Sequence, residues 1–278
     1  MKSNLRPAVV LFALGVLTFS TLTAIPFAYA YTSSPFISNG PGPISLSQSD
    51  LASENWGGYA AASGVTPTAS VTAVYGSWVV QTASSTAGAT YSSQWIGIGG
   101  FFPHDTSLIQ TGTESDYSGH NAHYSAWFEL LPATSKTIAT MKVSPGDVIS
   151  ASLVCVTACS SIRQNWMITI SDVSANTQFS KTVVYKSSEF SAEWIDERPE
   201  VCTLHGCHLS NLASFGTANY GTDFTSISNT NYATIGVVTG PIGTFTHASI
   251  TMVTPKGATL ATPSELSSDG TSFTMARS

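Results

Sequence analysis

The sequence predicts an all-β domain, a sandwich or a barrel. Three observations carry that expectation. From Asn55 onward, short apolar runs rich in Val, Ile, Thr, Tyr, Phe and Trp recur and are broken by Gly, Ser, Asn and Pro, the pattern of strands separated by turns. Several runs alternate: in Trp166-Met167-Ile168-Thr169-Ile170, the apolar Trp166, Ile168 and Ile170 share one side of an extended chain. No segment combines a 3.6-residue apolar period with helix caps.

The start of the chain stands outside that texture. Met1-Lys2-Ser3-Asn4-Leu5-Arg6 is a short basic segment, an apolar stretch follows from Ala8 to Leu17, and Ala28-Tyr29-Ala30 is a small-x-small cleavage pattern. Residues 1–30 therefore read as a secretory signal peptide cut after Ala30. A membrane anchor fits less well, because Thr18, Ser20, Thr21, Thr23 and Pro26 interrupt the apolar run, and no later stretch approaches the ~20 apolar residues of a spanning helix. Residues 31–50, rich in Ser, Pro and Gly and uncharged until Asp50, read as a linker or short propeptide. Residues 51–278 form the single expected domain.

Within that domain the expected strands are Val71–Val80, Tyr91–Ile98, Ala122–Leu131, Val148–Val156, Trp166–Ile170, Lys181–Tyr185, Thr234–Val238 and Ala248–Val253. Asp172–Gln178 reads as a turn, and Ser272–Met275 as an edge strand. No internal repeat and no mid-chain linker divides the domain.

Charge excludes one class of partner. Removing residues 1–30 takes away Lys2 and Arg6 and leaves 8 basic against 16 acidic residues, net −8. No Lys or Arg occurs between Arg6 and Lys136, so the basic surface that nucleic acid requires is missing. Only 9% of the residues are charged. Such a chain gathers little repulsion and loses few salt bridges in acid, which suits an acidic extracellular medium.

Four cysteines, Cys155, Cys159, Cys202 and Cys207, favour disulfides in an exported chain. Three pairings are possible, and the local pairs Cys155–Cys159 and Cys202–Cys207 are the favoured ones. The rival is a zinc site from Cys202, Cys207, His205 and His208, but the spacing is not the common C-x2-C type. No metal and no cofactor is expected.

Chemistry is concentrated in a few places. Residues 189–200 hold Glu189, Glu193, Asp196, Glu197 and Glu200, beside Trp194 and Ile195. Crowded, partly desolvated carboxylates have raised pKa values and suit proton transfer. The common hydrolase signatures H-E-x-x-H and G-x-S-x-G are absent. Paired D-T-G or D-S-G loops are absent too: Asp105-Thr106-Ser107 and Ser268-Asp269-Gly270 do not supply them. What remains is a polar and aromatic set: Asn55-Trp56-Gly57-Gly58, Gln94-Trp95-Ile96-Gly97-Ile98-Gly99-Gly100, Gln110-Thr111-Gly112, Ala126-Trp127-Phe128-Glu129-Leu130-Leu131-Pro132 and Ala192-Glu193-Trp194-Ile195. A strand through Ser125, Trp127 and Glu129 would place those three side chains on one face, as in a binding groove.

This set, in this order, resembles the glutamic peptidases (eqolisins, peptidase family G1), over about Asn55 to Glu200 and more weakly to about Val253. No single piece is specific; the five in order are. The resemblance implies a concanavalin A-like, lectin-like sandwich of two antiparallel sheets and a secreted acid endopeptidase acting on protein or peptide substrates. It implies Glu193 and Gln110 as the catalytic pair. Ionised Glu193 would take a proton from the attacking water and return it to the leaving amine. Gln110 would orient the water and stabilise the oxyanion with an amide that keeps its donor in acid. Trp56, Trp95, Trp127 and Glu129 would line the cleft.

The sequence departs from the family at Gly99, where an Asp is common, and near Ser125, where an acid is common. Glu114, four residues after Gln110, is the candidate to replace one such contact. An alternative use of the same fold is a carbohydrate-binding module or a glycosidase with Glu129 and Glu193 as its two carboxylates. That chemistry has no need of Gln110. A monomer, free of the membrane once the signal is removed, is expected in either case.

Overall fold

The computed structural model describes residues 51–85, 88–203 and 206–278. The expected signal peptide and linker lie outside the described residues. The strands are β1 (Leu51–Ser53), β2 (Trp56–Ala62), β3 (Val71–Val79), β4 (Ser93–Ile98), β5 (Ile109–Ser118), β6 (Asn121–Leu130), β7 (Lys136–Thr137), β8 (Val148–Thr157), β9 (Gln164–Asp172) and β10 (Thr177–Tyr185). They continue with β11 (Ala192–Glu197), β12 (Glu200–Thr203), β13 (Gly206–Leu209), β14 (Thr217–Tyr220), β15 (Tyr232–Ile235), β16 (Val238–Pro241), β17 (Thr246–Val253), β18 (Thr259–Pro263) and β19 (Phe273–Arg277). Helix among the described residues is limited to one turn, Thr222–Thr225, and a 3-10 turn, Ile242–Thr244.

One layer runs β17-β2-β11-β4-β5-β6-β7 and the other β10-β9-β8-β3-β15-β16. β14, β19 and β18 carry the hydrogen-bond ladder from β3 round to β17. The named strands pair antiparallel apart from β1 with β17. A small second sheet is the hairpin β12–β13. The sandwich expected from the sequence is therefore present.

The core lies between the layers. Ile96, Ile98, Phe128, Ala192 and Trp194 of the first layer meet Val74, Trp78, Ile149, Leu153, Trp166, Ile168 and Ile170 of the second. Each large side chain removed from water in this way contributes roughly 1.5–3 kcal/mol. Two indoles also bond across the gap: Trp194 Nε1 donates to the Tyr75 carbonyl at 2.8 Å and Trp78 Nε1 to Thr113 Oγ1 at 2.9 Å. The layers approach so closely at Gly76 that a Cβ there would stand 2.4 Å from Ile96 Cγ2.

Two expectations change. Thr234–Val238 is not one strand: the chain reverses at Gly236 (φ 62°) and Val237 is fully exposed at the tip of the β15–β16 hairpin. β19 is an inner strand, hydrogen-bonded on both sides by β14 and β18; those partners are strands of four and five residues, too short to register as apolar runs. The cysteines form the favoured local disulfides, Cys155–Cys159 (S–S 1.99 Å) and Cys202–Cys207 (2.04 Å). The sulfurs needed for the rival zinc site are thereby used, and no metal-binding cluster is found among the described residues. Nor is any helix there long and apolar enough to cross a membrane.

Candidate active site

The first layer carries the candidate residues because its strands alternate. On β11, Ala192 and Trp194 enter the core between the layers. Glu193, Ile195 and Glu197 must then face the other way. That second face is apolar around Trp56, Trp95, Leu108, Trp127, Leu131 and Ile195, with Phe101 and Phe102 packed against it. Trp56, Trp95 and Trp127 thus stand on the same face as Glu193, where the sequence expects them, while Trp194 belongs to the core.

Register puts four residues in a single row across this face. Glu193 of β11 is opposite Gly97 of β4, Gly97 is opposite Gln110 of β5, and Gln110 is opposite Glu129 of β6. With strands ~4.8 Å apart, the backbones of Glu193 and Gln110 are roughly 10 Å apart. The residue between them is glycine and adds no side chain of its own, but Trp95 and Leu108 pack over it. A Cβ on Gly97 would stand 3.2 Å from Glu193 Oε2, 2.9 Å from Leu108 Cδ1 and 2.8 Å from Trp95 Cζ3.

Gln110 is fixed from one side. Its Nε2 donates to Glu129 Oε2 at 2.7 Å, and its Oε1 is buried without a partner. One Nε2 proton and the carbonyl oxygen remain for a ligand. Burial pushes the Glu129 carboxyl up to about 8, with Gln110 and the Ser135 backbone amide offsetting part of the effect. In acid Glu129 is a neutral carboxylic acid and can itself donate.

Glu193 is fully buried, and neither carboxyl oxygen has a hydrogen-bond partner. Burial pushes its pKa well above the ordinary glutamate range; the Ser191 hydroxyl, acting by proximity rather than through a formed bond, pulls it down in part, and the charge of Asp105 pushes it further. A second row lies nearer the far end of β11. There Glu197 is opposite Ser93, Ser93 is opposite Glu114, and Glu114 is opposite Ser125. Glu197 accepts from Trp95 Nε1 at 2.7 Å and from Asn55 Nδ2 at 3.4 Å. Its pKa is also well above the ordinary value, from burial first, lowered by Trp95 and raised by the charge of Glu129.

Glu114 is therefore on the expected face and directly opposite Ser125. Asp196, in contrast, points into the core, fully buried with both oxygens unpartnered; burial raises its pKa well above normal and the Gln81 amide offsets only part. Glu189, the first acid of the cluster at residues 189–200, is 1% exposed and accepts from the Ser160 amide and hydroxyl at 3.0 and 3.1 Å. Its burial is tertiary: the partner is 29 residues away.

Asp105 was missed as a site-associated residue. Its carboxylate accepts from the Gly100 amide at 2.9 Å, the Ser107 amide at 3.0 Å, Ser107 Oγ at 2.8 Å and Ser188 Oγ at 2.5 Å. It joins the β4–β5 loop to the segment entering β11. The only sequence signal was a lone acid between two motif pieces. Gly99, at φ 93° and with the Ser107 carbonyl 2.5 Å from where a Cβ would be, has no room here for the Asp common in the family.

Comparison with known proteins bears on this geometry. The model of the Peptidase A4 family matches residues 54–275, a range containing every residue of both rows. Aspergillopepsin-2 of Aspergillus niger is 29% identical over 129 residues, 46% of this chain, and the match spans 44% of that relative's length. Scytalido-glutamic peptidase, solved with a transition-state analog inhibitor, superposes with a TM-score of 0.62 at 21% identity, over 81% of this chain and 98% of that one. SCP-B, an eqolisin-family peptidase in complex with the tripeptide Ala-Ile-His, gives 0.60 at 20% identity over the same shares. Aspergilloglutamic peptidase from Aspergillus niger gives 0.51 at 24%, over 68% of this chain and 99% of that one. At these identities the structural likeness shows the fold, and the match along the sequence supplies the rest. The chain belongs to the Peptidase A4 family, the glutamic peptidases.

Proposed function

We propose that the protein is a secreted endopeptidase that hydrolyses peptide bonds of proteins in acid, with Glu193 and Gln110 as its catalytic residues. The observation that carries this is the row Glu193–Gly97–Gln110–Glu129. It provides a carboxyl group and an amide on one face, separated by a glycine, with Trp95 and Leu108 packed over the place that a water and a scissile carbonyl would enter. Ionised Glu193 removes a proton from the water as its oxygen bonds to the carbonyl carbon. The same proton then passes to the amine as the C–N bond breaks. Gln110 Oε1 accepts a hydrogen bond from the water, and the free Nε2 proton faces the developing oxyanion. Neutral Glu129 holds the amide in that orientation.

Burial keeps Glu193 neutral in the closed site. A water and the amides of a bound peptide solvate the carboxylate and bring its pKa back toward the working range. Because the row is shut from solvent, a peptide is bound only by displacing what covers it. Secretion rests on the pattern of residues 1–30, and the two disulfides support an oxidising compartment.

The carbohydrate alternative is less well supported, since Gly97 and Gln110 stand between Glu129 and Glu193, and the group that engages Glu129 is an amide. Assay of the purified protein across pH against an unfolded protein and against β-glucan separates the two. Proteolysis in acid without glucan cleavage is expected; glucan cleavage without proteolysis would establish the other reading.

A further inference from the structure

We propose that the open groove of about 770 Å³ at the start of β5 and β11 is an extended subsite for the peptide substrate, one that seats an apolar side chain away from the scissile bond. The proposal rests on the peptidase reading above. The groove's first wall is Pro103–Ser107 and another is Lys186–Phe190. Both walls lead straight into the catalytic row. Ser107 is followed by Leu108, Ile109 and Gln110, and Phe190 by Ser191, Ala192 and Glu193, so each proposed catalytic residue is the second of its strand. The Gly99 amide, donating to the Ser191 carbonyl at 3.0 Å, ties the two approaches together. A peptide chain leaving the row past the ends of these strands enters this groove.

The groove is built rather than incidental. Asp105 braces the first wall to Ser188 of the second, and Glu189 braces the second to Ser160, which follows the Cys155–Cys159 disulfide and begins the third side. Each of these acids is held within the walls, so the shape exists before a ligand arrives. Its volume lies in the range of ordinary ligand pockets.

The basic Lys186 and His104 are exposed in the groove too, and the choice of an apolar residue comes from the exposed apolar pair, which continues toward the row. Ile162 is 76% and Phe190 45% exposed, and both line the groove. Phe190 meets Phe102 edge to face at 6.4 Å, Phe102 meets Phe101 at 5.4 Å, and both of these pack on the apolar cluster containing Trp95 and Trp127. An apolar path thus runs from the row into the groove. Serine and threonine hydroxyls along the walls can bond a peptide backbone without adding charge.

The test compares a minimal peptide spanning only the scissile bond with peptides extended by about four residues at either end, enough to cross ~13 Å, carrying Leu or Asp in the extension. Ile162→Asp and Thr106→Trp change two different walls at exposed positions outside the catalytic row. In the wild type, one Leu-bearing extension should raise kcat/KM about tenfold or more over the minimal peptide, with a smaller gain for Asp. Both variants should lose that gain and cleave the minimal peptide at the wild-type rate. If no extension raises kcat/KM in the wild type, or if the gain survives in both variants, the groove is not a subsite. If the wild type cleaves no peptide at any pH, the peptidase reading fails, and the subsite with it.

Discussion

Glu193 and Gln110 stand in one cross-strand row with only Gly97 between them, and the space over that glycine is held by Trp95 and Leu108. The consequence is testable at the glycine. In Gly97→Ala the added methyl would lie 3.2 Å from Glu193 Oε2 and press on Leu108 and Trp95. Overpacking of this kind costs about 1–3 kcal/mol of stability. Displacement of the reacting groups should lower kcat/KM by about 10²-fold, measured on a folded sample by steady-state kinetics.

On the proposed mechanism Glu129 should set the neutral limit of activity. Its carboxyl, raised to about 8 by burial, is protonated in acid and loses its proton as the pH rises. An additional negative charge beside Gln110 and Glu197 then opposes the oxyanion. Activity should fall on the alkaline side, and Glu129→Gln should extend that limb toward higher pH while preserving the acid limb. Glu129→Ala, which removes the hydrogen bond to Gln110 Nε2, should lower kcat/KM across the whole range. A pH–rate profile of the three proteins reads both effects.

Stability should fall as the pH rises through the neutral range. Asp116 is raised from 3.8 to about 7 and Glu129 from 4.5 to about 8, each chiefly by burial; Glu193, Asp196 and Glu197 are raised well above normal for the same first cause. The folded state therefore holds protons that the unfolded state releases above about pH 4, and that difference costs stability with increasing pH. For these two groups the loss accumulates between about pH 4 and 8 and amounts to a few kcal/mol each, order of magnitude only. Asp196→Asn should raise Tm at pH 7 and leave it nearly unchanged at pH 3, followed by circular dichroism.

Trp95 offers a separate check on Glu197. Its Nε1 donates to Glu197 Oε2 at 2.7 Å. Trp95→Phe keeps most of the apolar packing but withdraws that donor from a buried carboxyl, at about 1–3 kcal/mol. Thermal melts at acid pH measure it. Because Trp95 lowers the Glu197 pKa, the variant should also be more sensitive to rising pH than the wild type.

Much of this was legible in the sequence. β-branched and aromatic runs marked most long strands of both layers, since each must bury a face; the ten-residue β5, whose run is broken by Gly, Glu, Ser and Asp, was not among the expected strands. The motif pieces marked the candidate site, and Gln110, Trp127, Glu129 and Glu193 do share a face. What the sequence could not show is register. That Gly97 separates Glu193 from Gln110 depends on the pairing of β11, β4 and β5. The opposite fates of Asp196 and Glu197 depend on which parity faces the core. The burial of Glu189 and the bracing role of Asp105 left no signal because their partners, Ser160 and Ser188, come from other segments. The β15–β16 hairpin was hidden by an unbroken β-rich texture around one positive-φ glycine.

The central claim is that Glu193 is the proton-transferring group. It is tested most directly by the turnover of Glu193→Gln against an unfolded protein at acid pH, with circular dichroism confirming the fold. The substitution keeps size and removes a buried ionisable group, so the variant should fold and be no less stable at neutral pH. A loss of about 10³-fold or more in kcat is expected. Full turnover in the folded variant would contradict the assignment.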